Sequence, residues 1–127
     1  MKIINNTIYI LLLILSMANA SAQNKNLTCT NSETNFITNF KIDNVERKIT
    51  HLSSMNSKTN QKYYVDRDLK ILNFDENIAI TLSYSNSGKI LNLLVFNLKE
   101  QTYTQSGHYL DIKQKPNSQL FECVTNN

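Results

Sequence analysis

The sequence has no tryptophan, one proline and two glycines in 127 residues. Two glycines leave no phosphate-cradling loop and no dinucleotide fingerprint, and one proline excludes collagen-like or proline-rich extended chains. Histidine is nearly as scarce, at two residues, and neither Cys-x-x-Cys nor His-Glu-x-x-His occurs. No spacing suited to a metal site is therefore present. The nucleophile-elbow pattern Gly-x-Ser-x-Gly is missing too, so the usual strand-to-helix turn that exposes a catalytic serine is not encoded. Charge of either sign is thin. Thirteen Lys+Arg face ten Asp+Glu for a formal net charge of +3. The cations never cluster more densely than Arg47-Lys48 or the spaced pair Lys113 and Lys115, which is no nucleic-acid footprint. No cofactor is implied, and an enzyme is not expected.

What remains is apolar enough to fold. Hydrophobic residues make up 41% and charged residues 18% of the chain, which excludes wholesale disorder and suits one small domain.

Residues 1–22 read as a cleavable export signal. Lys2 supplies the positive start and Ile8 to Leu15 the apolar stretch, while Ala18-Asn19-Ala20 and Ala20-Ser21-Ala22 are alternative small-residue cleavage sites. The apolar run falls short of the roughly 20 residues that span a bilayer. The expectation is a soluble domain over residues 23–127, released after Ala20 or Ala22 into the periplasm or the medium, with no membrane span.

Export places Cys29 and Cys123 in an oxidising compartment, where two thiols are expected to bridge. The bridge would close nearly the whole mature chain into one loop, for which chain entropy gives about 4 to 5 kcal/mol of stabilisation. It also requires the two ends of the domain to lie within about 7 Å of each other.

Between the cysteines the pattern is that of strands. Ile78, Ile80, Leu82 and Tyr84 alternate with Ala79, Thr81, Ser83 and Ser85, and this period of two predicts a strand that buries its larger residues on one face. Asn86-Ser87-Gly88 supplies a hairpin turn into Lys89 to Asn97. Phe36, Thr38, Phe40 and Ile42 share a face, Asp43 to Glu46 turns, and Lys48 to Ser53 returns. Leu27 to Thr30, Tyr63 to Val65, Leu69 to Phe74, Thr102 to Lys113 and Gln119 to Val124 complete eight or nine strands, with Ser54 to Gln61 as the long polar loop. Gly107 suggests a bulge. No amphipathic helix is predicted. The expected architecture is a small antiparallel up-and-down β-barrel or barrel-like sandwich, its termini joined by the disulfide; a two-sheet sandwich is the alternative. Lys89 to Leu98 is apolar on both faces, so its outer face is expected either to lie beneath the Ser54 to Gln61 loop or the N-terminal segment, or to meet a partner or second copy.

Few side chains suggest chemistry. Asp66, Asp68, Asp75 and Glu76 fall in predicted turns, where carboxylates are solvated. His51 lies on a strand, and His108 follows Gly107 where a bulge would display it. Tyrosines are better suited to recognition, because large amphipathic rings serve binding surfaces. The candidate binding residues are Tyr63, Tyr64, Tyr103, His108 and Tyr109. They imply an exported, non-enzymatic module that occupies a protein partner, as an inhibitor or immunity protein does; the alternative is a small-molecule carrier with an apolar barrel interior.

An export signal, an antiparallel barrel and an end-to-end cysteine pair together resemble the layout of periplasmic inhibitors of c-type lysozyme. The Ser-Gly-x-x-Tyr loop of that family meets Ser106-Gly107-His108-Tyr109 here, with the tyrosine one position early, and its Tyr-x-x-x-Thr-Lys-Gly loop has no counterpart. No inhibitory residue is carried over.

Overall fold

A computed structural model describes residues 24–126 of the chain; the predicted export segment lies outside them. Nine strands follow one another: β1 (Asn24–Asn31), β2 (Phe36–Asp43), β3 (Lys48–Asn56), β4 (Gln61–Asp68), β5 (Lys70–Phe74), β6 (Ile78–Tyr84), β7 (Ile90–Asn97), β8 (Thr102–Tyr109) and β9 (Asn117–Asn126). Among the described residues there is no helix long and apolar enough to cross a membrane.

Side-chain hydrogen bonds and glycine set the turns. Asp43 Oδ1 accepts from the amides of Val45 and Glu46 at 3.0 Å each, and Asp75 Oδ1 accepts from Asn77 and Ile78 at 2.8 Å each; both are local Asx turns. Gly88 provides the positive φ, 71°, that closes the β6–β7 hairpin, a backbone region other residues enter at a cost.

All nine strands form one antiparallel sheet in the order β4-β3-β2-β1-β9-β8-β7-β6-β5. Neighbours in sequence are neighbours in the sheet, except that β4 and β5 form its two ends and β1 pairs with β9. In that pairing Cys29 faces Cys123 directly. The two are joined as a disulfide with Cα atoms 4.0 Å apart and a sequence separation of 94. The covalent link and the sheet ladder thus close the same junction.

The sheet curls into a half-barrel because its bulges lie close together. Leu52 is an extra residue on β3 relative to β2. Val65 and Asp66 on β4 span the interval opposite it, with Asp66 at φ 43°. Leu72 is extra on β5 relative to β6. Bulges bend a strand and increase its twist, and here all of them fall on the three consecutive strands where the sheet folds back. Only Leu69 separates β4 from β5, so one bent segment pairs with β3 through its first half and with β6 through its second. Leu69 is buried, and its N–H donates to the Ile49 carbonyl at 2.9 Å. The expected polar loop from Ser54 to Gln61 is instead the end of β3, a short turn and the start of β4. The bulge expected at Gly107 is also absent: Gly107 sits opposite Asn92 and Asn117 in regular register.

Aromatic rings fill the concave side. Phe40 meets Phe96 and Tyr103 edge-on, with centroids 5.1 and 5.2 Å away, and Tyr103 stacks on Phe121 at 4.4 Å. Leu27, Ile42, Ile49, Leu94 and the disulfide pack around them. This side takes the smaller residues of β6. Ala79 and Thr81 are fully buried, with Ala79 opposite Phe96 and Thr81 opposite Leu94, so Ile78, Ile80, Leu82 and Tyr84 face outward. That reverses the face expected from their size. The inner surface of a tightly curled sheet has little room per strand, and small residues beside Phe96 let the aromatic rings meet. The Thr81 hydroxyl, buried among them, donates to the Leu94 carbonyl at 3.3 Å, which offsets its desolvation.

Candidate functional site

Two surfaces are chemically distinctive, one on each side of the sheet. Inside, beyond the aromatic rings, the half-barrel opens into a cavity of about 220 Å³ whose floor and walls include Phe40, Phe121, His51, Ser54, Asn92, Gln105 and Gln119. His51 and Ser54 are three positions apart on β3, a spacing that would place them on opposite faces of a regular strand. The extra residue Leu52 returns both to the concave side. His51 Nε2 lies 2.8 Å from Ser54 Oγ, and Ser54 Oγ lies 3.5 Å from Thr38 Oγ1. The Phe40 ring packs against the imidazole at 5.1 Å. Burial holds the His51 pKa below its ordinary value, with the Arg67 charge acting in the same direction and a Ser53 backbone contact opposing them, so the ring is neutral near pH 7.

Tyr103 reaches this cluster from below. Its side chain is 1% exposed, and its hydroxyl sits beside Thr38 but makes no well-formed hydrogen bond. Burial pushes the phenol well above its usual range. A second cavity at the other end, about 330 Å³, has an apolar floor of Leu27, Ile42 and Phe96 under a rim that includes Lys25, Arg47 and Glu76. Between the two cavities the aromatic core is packed.

Outside, the sheet divides into a polar half and an apolar half. Across β1, β2 and β3, Thr28 donates to Asn39 Oδ1 at 2.7 Å, and Asn39 donates to Ser53 Oγ at 3.0 Å. Across β6 and β7 the convex face carries Ile78, Ile80, Leu82 and Tyr84 beside Leu91, Leu93 and Val95, in the register that sets Leu82 opposite Leu93 and Ile80 opposite Val95. Leu72 on β5, which flanks β6, and Leu120 on β9, beyond β8, are more than half exposed. The β3–β4 turn is a hairpin whose residues Ser57 to Asn60 are all exposed, not a loop laid over this face.

The tyrosines singled out from the sequence are not brought together. Tyr63 and Tyr64 lie on edge strand β4, 49% and 80% exposed, and Lys62 Nζ sits 4.8 Å from the Tyr64 ring centre. Tyr103 belongs to the aromatic core. His108 is on the convex side of β8 opposite Leu91. Tyr109, opposite Ile90, lines a small pocket that shares Asn92, Gln105 and Gln119 with the concave cavity. Among the carboxylates, Asp68 pairs with Lys48 at 3.1 Å and accepts from Thr50 at 2.8 Å, while Asp75 holds its turn. Both are held below the usual carboxylate range, Asp68 by Thr50 and Lys48 and Asp75 by the backbone amides of Ile78 and Asn77.

No protein-family model, curated protein or solved structure matches the chain. The site is therefore defined by its own geometry. Reading the sequence missed the inward polar group of Asn92, Gln105 and Gln119. One signal for it was present, since Asn92 interrupts an otherwise apolar run from Ile90 to Phe96.

Proposed function

We propose that the protein is an exported, non-enzymatic binding module that docks a protein partner through the convex face of β6 and β7. The observation that carries this reading is the row of seven outward apolar side chains on two adjacent strands, uncovered by any described residue. The same side of β1, β2 and β3 carries the polar row Thr28, Asn39 and Ser53 instead. Ile78 and Tyr84 are exposed and the other five half-buried; contiguous solvent-facing apolar surface of this kind marks interaction sites, and aliphatic residues with a tyrosine at the margin suit the dry centre of an interface. The matching partner surface is apolar and nearly flat, such as another sheet face or the apolar stripe of a helix. The disulfide is consistent with an oxidising, exported location, and the periplasm or the medium is where the module would meet its partner.

The packed core favours this reading over a carrier with a continuous apolar interior. A photo-crosslinking residue at position 93, introduced in the native host, tests it. The expected result is an adduct with a distinct protein or a second copy of the chain, absent when the same probe occupies position 39 on the polar half. No adduct from position 93, or equal adducts from both positions, would overturn the proposal.

A further inference from the structure

The concave cavity is a different site, and its chemistry selects a different kind of ligand. None of its lining residues is Asp, Glu, Lys or Arg, and the His51 ring is neutral near pH 7. An ionic ligand would lose its hydration with no opposite charge to meet it. The polar groups that do converge are hydroxyls and carboxamides: Ser54, Thr38, Asn92, Gln105 and Gln119. Each of these both donates and accepts, as does each hydroxyl of a polyol. Phe36, Phe40 and Phe121 supply apolar walls beside them. At about 220 Å³ the space is below the roughly 300 Å³ at which drug-sized pockets begin, so the occupant is small.

One buried group lacks a partner. The Tyr103 hydroxyl is unpaired beside Thr38, which lines the cavity. A buried hydroxyl without a partner is rare in folded proteins and calls for an explanation. Thr38 stands between that hydroxyl and the cavity, so a ligand hydroxyl bonded to Thr38 would turn the Thr38 hydroxyl to pair with Tyr103.

We infer that the cup formed by His51, Ser54, Asn92, Gln105 and Gln119 over Tyr103 binds a neutral, hydroxyl-rich ligand of monosaccharide size. The ring of the sugar lies against the phenylalanines, the carboxamides bond its upper hydroxyls, and Thr38, backed by the Tyr103 hydroxyl, receives the deepest one. The site needs neither the convex face nor its partner.

Nuclear magnetic resonance titration of the isotope-labelled protein tests this, with glucose, galactose and N-acetylglucosamine as neutral probes and glucuronate and glucosamine as charged ones. At least one neutral probe is expected to give saturable shifts in the side-chain amides of Asn92, Gln105 and Gln119. The charged relatives should bind at least about tenfold more weakly. Tyr103→Phe should weaken binding of the neutral probe while leaving the fold intact, because it removes only an unpaired hydroxyl; Gln105→Ala, at the half-buried rim, should weaken it by about tenfold. Absence of saturable shifts with every neutral probe overturns the inference. So does equal binding of charged and neutral probes, or undiminished binding in both variants.

Discussion

His51 and Ser54 share a 2.8 Å contact on the concave side of the half-barrel although they stand an odd number of positions apart on one strand. The bulge at Leu52 makes this possible, and the same bulge helps to bend the sheet. Shape and site thus arise from one irregularity in β3.

His51 makes stability depend on pH. Its folded pKa lies below the ordinary value of 6.5, chiefly because burial disfavours the charged ring. The unfolded chain therefore binds the proton more readily, and the stabilisation is fully present above about pH 6.5 and declines as pH falls toward the folded pKa. Urea midpoints measured from pH 7.5 down to pH 5 should fall for the native chain and fall less for His51→Gln. Equal slopes in both would contradict this.

Replacing Tyr103 by Phe should stabilise the protein, by about 1 kcal/mol, since a buried hydroxyl with no partner costs about 1 to 3 kcal/mol. The ring contacts with Phe96 and Phe121 are kept. Chemical denaturation reads the change, and a loss of stability would mean the hydroxyl is paired.

Substitutions on β6 should distinguish its two faces. Ala79→Leu pushes bulk against Phe96 and should cost about 1 to 3 kcal/mol as overpacking. Leu82→Lys, on the convex side, should cost under about 1 kcal/mol while lowering the binding of a hydrophobic dye. The opposite ranking would restore the face that residue size alone suggests.

Removing the disulfide with Cys29→Ala and Cys123→Ala together should cost about 4 to 5 kcal/mol, because the bridge restrains almost the whole unfolded chain. The β1–β9 ladder brackets the bridge on both sides, so far-ultraviolet circular dichroism should stay that of a β protein. Loss of the β spectrum would show that the ladder does not hold the sheet closed without the bridge.

Leu69→Ala should cost about 2 to 5 kcal/mol, the range for a buried leucine. Leu69→Pro should cost more, since it also removes the N–H that donates to Ile49. Thermal unfolding of both variants checks this order.

Alternation and turn chemistry were enough to place most of the strands, the Gly88 hairpin and the Asp43 turn, because these depend on neighbours within a few residues. The cysteine pair was legible for a different reason, as the export signal read from the sequence leaves two thiols few other expected fates. The strand from Ser54 to Asn56 was hidden because Met55 alone, between polar Ser54 and Asn56, gives no alternation to read. Asn92, Gln105 and Gln119 were invisible as a group, since three separate strands carry them and only pairing in the sheet aligns them.

The sequence by itself determined that the domain is all strand and fastened end to end, since period two, scarce glycine and two cysteines are local or countable properties. Tertiary structure alone decided which face of β6 turns inward. Residue size favours burying Ile80 and Leu82, but curvature leaves room on the inside only for Ala79 and Thr81 once Phe40, Phe96 and Tyr103 are in place. The displaced aliphatic residues became the convex face, and no window of adjacent residues contains that competition for space.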